Sequence, residues 1–376
     1  MQKPQVSLVR CKDYDTGRIH ASVVRAVGLI GGVDRFVRTG ARVLIKPNML
    51  VAKGPDKAVT THPEVVRAVV RLVKGAGGLP VIGDSQAMGA FKRVAEASGI
   101  AAVAREEGVS LVELSEAVTV QGRGTFKHFE VAREVMQADA LINLPKAKTH
   151  GQMLLTLAVK NLFGCIPGRR KAQWHFKSGV DRNAFATMLV ELCGIVRPAL
   201  SIVDAVVGME GNGPGNGTPR EIGLIAAGAD AFSLDMVLSE ILGVPAERLP
   251  TTKAAQRLGL APQTFSDIEF LGDFAGPYEA RVPGFKLPST SSLEWSIPEP
   301  LRRLLKESLT TKPNIDKSKC QLCLMCKNAC PAEAISEGEA GLSINYRDCI
   351  RCFCCQEVCP VGAIEVIEGW LLKYLG

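Results

Sequence analysis

The sequence predicts an α/β protein, a mostly parallel open sheet with helices on both faces, that carries a small α+β domain at its C-terminal end. Three observations predict this. Over residues 1–271, short apolar runs rich in β-branched residues alternate with helical patterns, the signature of βαβ units. Over 272–313 that periodicity is lost and Gly, Pro and Ser recur (GPYEARVPGFKLPSTSSLEWSIPEP). Beyond it, nine of the chain's twelve cysteines fall between Cys320 and Cys359.

Arg42–Ile45 reads as a strand, and Pro63–Gly75 (PEVVRAVVRLVKG) as an amphipathic helix. Thr61 and Glu64 are spaced for a capping box, with Pro63 in the first turn. Pro80–Gly83 is a second strand, Phe91–Glu107 a helix and Val109–Leu114 a strand. Glu130–Gln137 is helical, and Ala140–Leu144 is a buried strand. Asn183–Val196 is a helix, Ala199–Val203 and Ile222–Ala226 are strands, and the helix Ala231–Leu242 closes the series. Residues 272–313 are expected to be a linker with a short helix at Leu301–Leu309. Residues 314–369 form the small domain, and 370–376 a short apolar tail packed against it.

The net charge of +7 is mostly dispersed, with no run of five or six like charges, so a solvated basic surface is expected and no nucleic-acid partner. The N-terminal stretch MQKPQVSLVR lacks an apolar core, and no stretch approaches the length of a membrane span. The expected location is the cytoplasm. Reduced thiols there argue for metal ligation over disulfides.

The cysteines form two runs, Cys320-x2-Cys323-x2-Cys326-x3-Cys330-Pro331 and Cys349-x2-Cys352-x2-Cys355-x3-Cys359-Pro360. Each has the spacing of bacterial ferredoxins that hold two [4Fe–4S] clusters, where the fourth cysteine of one run serves the other cluster. Iron in such clusters needs soft thiolate donors. Carried over, Cys320, Cys323, Cys326 and Cys359 hold one cluster, and Cys349, Cys352, Cys355 and Cys330 the other. Structural zinc is the rival, but zinc ribbons use paired C-x2-C, not triples ending in C-x3-C-P. Ala332–Ile335 and Val361–Ile364 repeat the same pattern, as a pseudo-symmetric ferredoxin-like α+β fold requires. Cys354 is an extra cysteine within the second run. Cys11, Cys165 and Cys193 are scattered and read as small apolar residues.

Open α/β sheets bind ligands outside the carboxyl ends of their strands. The residues at those ends are Lys46 and Asn48, then Asp84, then Lys146, Lys148 and His150, then Asp204. Lys146, Lys148 and His150 alternate, so in an extended chain they form one cationic wall suited to an anionic small molecule. Lys160 lies in an apolar segment (LLTLAVKNLFG), where a lysine must find a partner or a pocket. We therefore take Lys146, Lys148, His150, Lys160, Asp84 and Asp204 as candidate catalytic residues. Lys46, Asn48, His62, Gly211 and Gly213 are candidate ligand or cofactor contacts. The glycine-rich stretch Gly208–Gly217 matches no nucleotide fingerprint, and no flavin or nicotinamide motif is visible.

Several strings carry a resemblance to a known family: Lys46-Pro47-Asn48, Thr61-His62-Pro63-Glu64, Gly83-Asp84-Ser85, Asn143 through His150, Val159 through Gly164, and Asp204 through Pro214. Together they resemble the domain of unknown function 362, in its version fused to a two-cluster ferredoxin. The resemblance implies an organism of anaerobic habit and no established activity. The main domain is also similar to the N-terminal domain of nickel-pincer lactate racemases, which implies that the strand-end lysines and histidines face an anionic organic cofactor or substrate. Three functions remain open at this point. The first is an iron–sulfur oxidoreductase that passes electrons through two [4Fe–4S] clusters to an anionic ligand. The second is a ferredoxin-type electron carrier or adaptor, and the third a maturation factor for another metalloprotein. Each calls for a redox partner protein or a small-molecule electron donor.

Overall fold

The computed structural model describes residues 3–288 and 312–367, apart from positions 88, 169, 179, 180 and 340. The predicted helix at Leu301–Leu309 and the tail at 370–376 lie outside the described residues. The strands of the main domain are β1 (Gln5–Arg10), β2 (Arg42–Pro47), β3 (Leu79–Asp84), β4 (Ser110–Glu113), β5 (Ala117–Gln121), β6 (His128–Ala132), β7 (Ala140–Leu144), β8 (Lys146–His150), β9 (Leu154–Thr156), β10 (Leu200–Glu210), β11 (Thr218–Gly228) and β12 (Glu269–Gly272). Ten of them form one sheet in the order β12-β1-β11-β10-β7-β2-β3-β4, with β8 joined to β10 and β9 to β8. The pairs β10–β7, β7–β2, β2–β3, β3–β4, β10–β8 and β1–β12 are parallel, and the sheet is mixed but mostly parallel. β1 and β12, absent from the sequence reading, extend its far edge.

Alternation along the strands sends side chains to two cores. Val43 and Ile45 of β2 pack with Ile19, Val23 and Val27 and with the valines of helix Pro63–Gly75 on one face. Leu44 faces the other side, where Phe185, Leu189, Leu234 and Val237 lie beneath Leu8, Val203 and Leu224. These side chains belong to helices Thr16–Leu29, Pro63–Gly75, Arg182–Val196 and Ala231–Ile241, so both faces are covered.

Several elements differ in detail from the sequence reading. The predicted Phe91–Glu107 helix is two helices, Phe91–Ala97 and Ile100–Glu106, with Gly99 at φ +77° between them. Glu130–Gln137 is half strand, because His128–Ala132 pairs with β5 and only Arg133–Gln137 is helical. The capping box at Thr61 is not formed. His62 is the cap, its Nδ1 accepting from Glu64 N at 3.2 Å, while Thr61 Oγ1 accepts from Asn48 N and donates to Leu144 O. From 272 to 288 the segment read as linker stays on the main domain, with Val282 and Phe285 buried in its core.

β10 and β11 are long, and the glycine-rich stretch is the turn between them. Gly211 and Gly213 belong to this turn and do not line the cavity described below. A Cβ at Gly213 would lie 2.1 Å from Thr149 O, so the turn packs directly on β8.

The predicted cationic wall is also divided. β8 pairs with β10 through Asp204↔Lys146 and Met209↔Lys148, an irregular register that turns the two lysines to different surroundings. Lys146 Nζ lies 2.8 Å from Asp204 Oδ2 and 2.7 Å from Tyr14 Oη, all but sealed from solvent. Tyr14 Oη donates to Asp204 Oδ1, and the His62 ring stacks on the Tyr14 ring at 3.6 Å. Burial, offset in part by Asp204, holds His62 at about 4, while burial and the neighbouring Asp204 charge together raise Tyr14 well above the usual phenol range. Lys146, Asp204 and His62 are therefore packed together away from the cavity, and they tie β8 and β10 to the starts of two helices. Lys146→Met should leave the buried Asp204 carboxylate without its cation and cost about 3–5 kcal/mol in chemical denaturation. Loss of ligand binding at unchanged stability would instead return Lys146 to the site.

Candidate functional site

At the carboxyl ends of β2, β3 and β8 lies a cavity of about 470 Å³. β2 leads into Lys46 and Asn48, β3 into Asp84 and Ser85, and β8 supplies Lys148 and His150. Lys160 and Asn161 come from the short helix Ala158–Asn161, whose first two amides, Ala158 N and Val159 N, are held by the buried Asp235 carboxylate at 2.6 and 3.0 Å. Burial pushes that carboxyl up to about 7 despite the two amides. Lys171 and His175, from helix Arg170–Ser178, complete the main-domain wall.

The structure thus brings together six of the predicted residues, Lys46, Asn48, Asp84, Lys148, His150 and Lys160. It adds Ser85, Asn161, Lys171 and His175 from the main domain. Lys171 and His175 are four apart on one helix, a spacing that puts both on the same face and could have found them. Asp235 is apolar in its neighbours and left no sequence signal.

Each buried group has a definable environment. Lys46 Nζ pairs with Asp84 Oδ1 at 2.8 Å, and Asp84 Oδ2 accepts from Met49 N. A Cβ at Gly164 would fall 2.2 Å from Asp84 Oδ1 and 2.6 Å from Lys46 Nζ, so this pair needs a glycine above it. Lys148 Nζ donates to Asn48 Oδ1 at 2.8 Å and Val59 O at 2.6 Å. Asn48 is in turn linked to Asn161, and Asn161 to Asn143, each at 2.8 Å. Lys171 Nζ donates to Ser85 O, Ser85 Oγ and Gln86 O. Burial brings both Lys148 and Lys171 down to about 7, and it lowers Lys160 and His150 as well. Burial also takes His175 to about 3, so it is neutral at pH 7.

The remaining wall is the C-terminal domain. Its strands are β13 (Lys312–Ile315), β14 (Ile335–Gly338), β15 (Gly341–Ile344) and β16 (Ile364–Ile367), in two antiparallel pairs, with short helices Met325–Asn328 and Cys354–Val358. Asn328, Ala329, Cys354, Glu357 and Val358 face the cavity. Asn328 and Glu357 hold equivalent places in the two cysteine runs, as do Ala329 and Val358, so both repeats present the same positions to it. His150 Nε2 lies 3.0 Å from Glu357 Oε1, while its Nδ1 accepts from Gln152 N and Met153 N, which leaves the proton on Nε2. Burial alone would raise the Glu357 carboxyl, but His150, Lys160 and His175 hold it at about 2.

Inside this domain the cysteines gather in two groups. Cys320, Cys323, Cys326 and Cys359 line one recess; Cys330, Cys349, Cys352 and Cys355 line the other. The loops reach this shape through left-handed residues at matching places, Leu322 and Leu324 in one run and Arg351 and Phe353 in the other, all with φ between 52° and 59°. Cys330 Sγ accepts from Ala334 N and Cys359 Sγ from Ala363 N, again at matching places. All-thiol donor sets of four, with amides aimed at sulfur, fit an iron–sulfur cluster. Cys354 belongs to neither group. Its thiol is hydrogen-bonded to Cys352 and borders the cavity.

The chain matches the family described as domain of unknown function (DUF362) over residues 43–240, and a 4Fe-4S dicluster domain over 312–360. The thylakoid-associated protein sll1697 of Synechocystis sp. is 42% identical over 302 residues, covering 80% of this chain and 93% of that protein. Among solved structures, the lactate racemase apoprotein of Thermoanaerobacterium thermosaccharolyticum aligns with 61% of this chain and 55% of its own, at a TM-score of 0.40 and 10% identity. A Thermotoga maritima protein aligns with 67% of this chain and 61% of its own, at 0.39 and 13%. Less than two thirds of either solved chain is therefore spanned. The dicluster domain gives the protein iron–sulfur electron-transfer capacity, and among the described residues no helix is long and apolar enough to cross a membrane. The chain belongs to the DUF362 family, here fused to a 4Fe-4S dicluster domain.

Proposed function

We propose that this protein is an iron–sulfur oxidoreductase whose substrate or cofactor is an anionic small molecule held in the cavity between its two domains. One observation carries the reading: the cavity wall is shared, with Lys148, His150 and Lys160 on one side and Cys354 and Glu357 of the cysteine-bearing domain on the other. A ligand there is within a side chain's length of the cluster-binding loops. Two [4Fe–4S] clusters supply one-electron steps when bound, one held by Cys320, Cys323, Cys326 and Cys359, the other by Cys330, Cys349, Cys352 and Cys355.

The chain's own residues do the rest. Four lysines face two carboxylates, Asp84 and Glu357; burial loosens the protons of Lys148, Lys160 and Lys171, and an anion among them favours their charged forms. The Lys46–Asp84 pair and the Asn48–Asn161–Asn143 chain fix the floor, and burial of these side chains strengthens each charge interaction. Lys148 at about 7 can hold or release a proton near neutral pH, beside the incoming ligand. The protein works in the cytoplasm in this reading, with electrons from a redox partner protein or a small-molecule donor. An electron carrier that only docks partners has no use for buried lysines lining a cavity, which is why we prefer the enzyme.

Two expectations test this. Anaerobic reconstitution should give about eight iron atoms per chain, two cubes of four. Cys354→Ala should leave that content unchanged, since eight other cysteines already make two sets. Iron near half that value in the parent would remove one cluster, and halved iron in the variant would make Cys354 a ligand. Second, small anions should be screened for reoxidation of the chemically reduced protein. Lys148→Met should slow reoxidation by an effective anion about tenfold or more while both clusters load and reduce normally. Equal rates for parent and variant with every active anion would favour the carrier.

A further inference from the structure

The four lysines that line the cavity are not equivalent. An ammonium group has three protons to donate. Lys171 gives all three to Ser85 O, Ser85 Oγ and Gln86 O at 2.7, 2.7 and 3.2 Å, and so serves to tether its helix to the turn after β3. Lys46 is neutralised by Asp84 and also donates to Pro47 O at 3.0 Å. Lys148 has two oxygen partners and one proton left. Lys160 has no oxygen acceptor among the described residues. Its ammonium lies 4.6 Å from the centre of the Phe163 ring and 5.7 Å from that of Phe185, in a residue only 9% exposed. Ring faces replace only part of the hydration such a cation loses. Thr156 lines the same cavity, and its buried hydroxyl has no partner.

Charge sets the size of the anion. With Lys46 and Lys171 already satisfied, the uncommitted donors are Lys160 and one proton of Lys148, opposed by Glu357 across the cavity. That supports one anionic headgroup and opposes a polyphosphate chain. Arginine is absent from the described lining, so no planar two-pronged clamp is present. The cavity is far larger than a headgroup, and Met49, Leu50, Phe163 and Val358 give it apolar wall.

We propose that Lys160 is the ligand-binding cation of this cavity and, with Lys148 and Thr156, receives the single carboxylate or phosphate of a small organic acid whose uncharged body lies along Met49, Leu50 and Phe163. This rests on the reading that the cavity holds the anionic ligand, and it adds which charge is free and which ligands are refused.

The test is anaerobic titration calorimetry on cluster-loaded protein with acetate, inorganic phosphate and tripolyphosphate. Iron content and melting temperature serve as folding controls. Acetate or phosphate should bind the parent, and the tighter of the two names the headgroup. Lys160→Met should weaken that binding about tenfold or more, and Lys160→Arg should restore part of it. Thr156→Val removes a hydroxyl that no protein group uses, so it should fold normally and weaken binding severalfold. It decides the matter if Lys160→Met does not fold. The proposal is overturned if neither small anion binds the parent, if tripolyphosphate binds more than about tenfold tighter, or if Thr156→Val and a folded Lys160→Met bind like the parent. A parent whose clusters are reoxidised by an anion in a Lys148-dependent way, with any of these results, sinks the headgroup assignment alone. Absence of such reoxidation sinks the oxidoreductase reading itself.

Discussion

Lysine ammonium groups taken out of water at the ends of the strands organise this structure. An unpaired buried ammonium is costly, and the cost falls away only when oxygen partners surround it. Each lysine therefore draws elements together. Lys46 and Asp84 join β2 to β3, Lys146 joins β8 to β10 and to Tyr14, and Lys171 joins its helix to Ser85. What these pairs leave between them is a lysine-lined cavity, with Lys160 as the cation whose oxygen partner the described protein does not supply.

The cysteine-bearing domain closes that space as well as adjoining it. Glu357 meets His150, Gln356 Nε2 donates to Asn212, and Asn216 Nδ2 donates to Cys359 O at 3.2 Å. The turn between β10 and β11 thus acts as a docking face for the small domain, which explains its crowding of glycines better than ligand contact does. Because the two cysteine runs present equivalent positions to the cavity, the internal repeat gives both cluster-binding loops a similar approach to it. The asymmetry lies in Glu357 against Asn328, and it puts the acid beside the histidine.

Much of the fold was legible because its signals are local. The valine stripe of Pro63–Gly75 and the buried runs of β2 and β7 declare their periods within a few residues, and the cysteine spacing needs no tertiary information. What could not be read depends on register and on long-range contact. Lys146 and Lys148 alternate as expected, yet an irregular pairing with β10 gives one to Asp204 and the other to the cavity. His62 looked like a ligand because nothing local shows that its ring stacks on Tyr14. Glu357 was hidden among cysteine ligands, and its role appears only when the two domains meet. The lysine-rich character of the site was visible, and the division of those lysines into satisfied and unsatisfied was not.

In the proposed function this cavity holds an organic anion against a free ammonium beside the cluster-binding loops. The most direct measurement is a high-resolution crystallographic map of protein purified and crystallised without oxygen. Density for a small organic acid is expected in the cavity, its headgroup within hydrogen-bonding distance of Lys160 Nζ. Water alone in the cavity, with Lys160 turned onto Glu357 to form a closed ion pair, would contradict it.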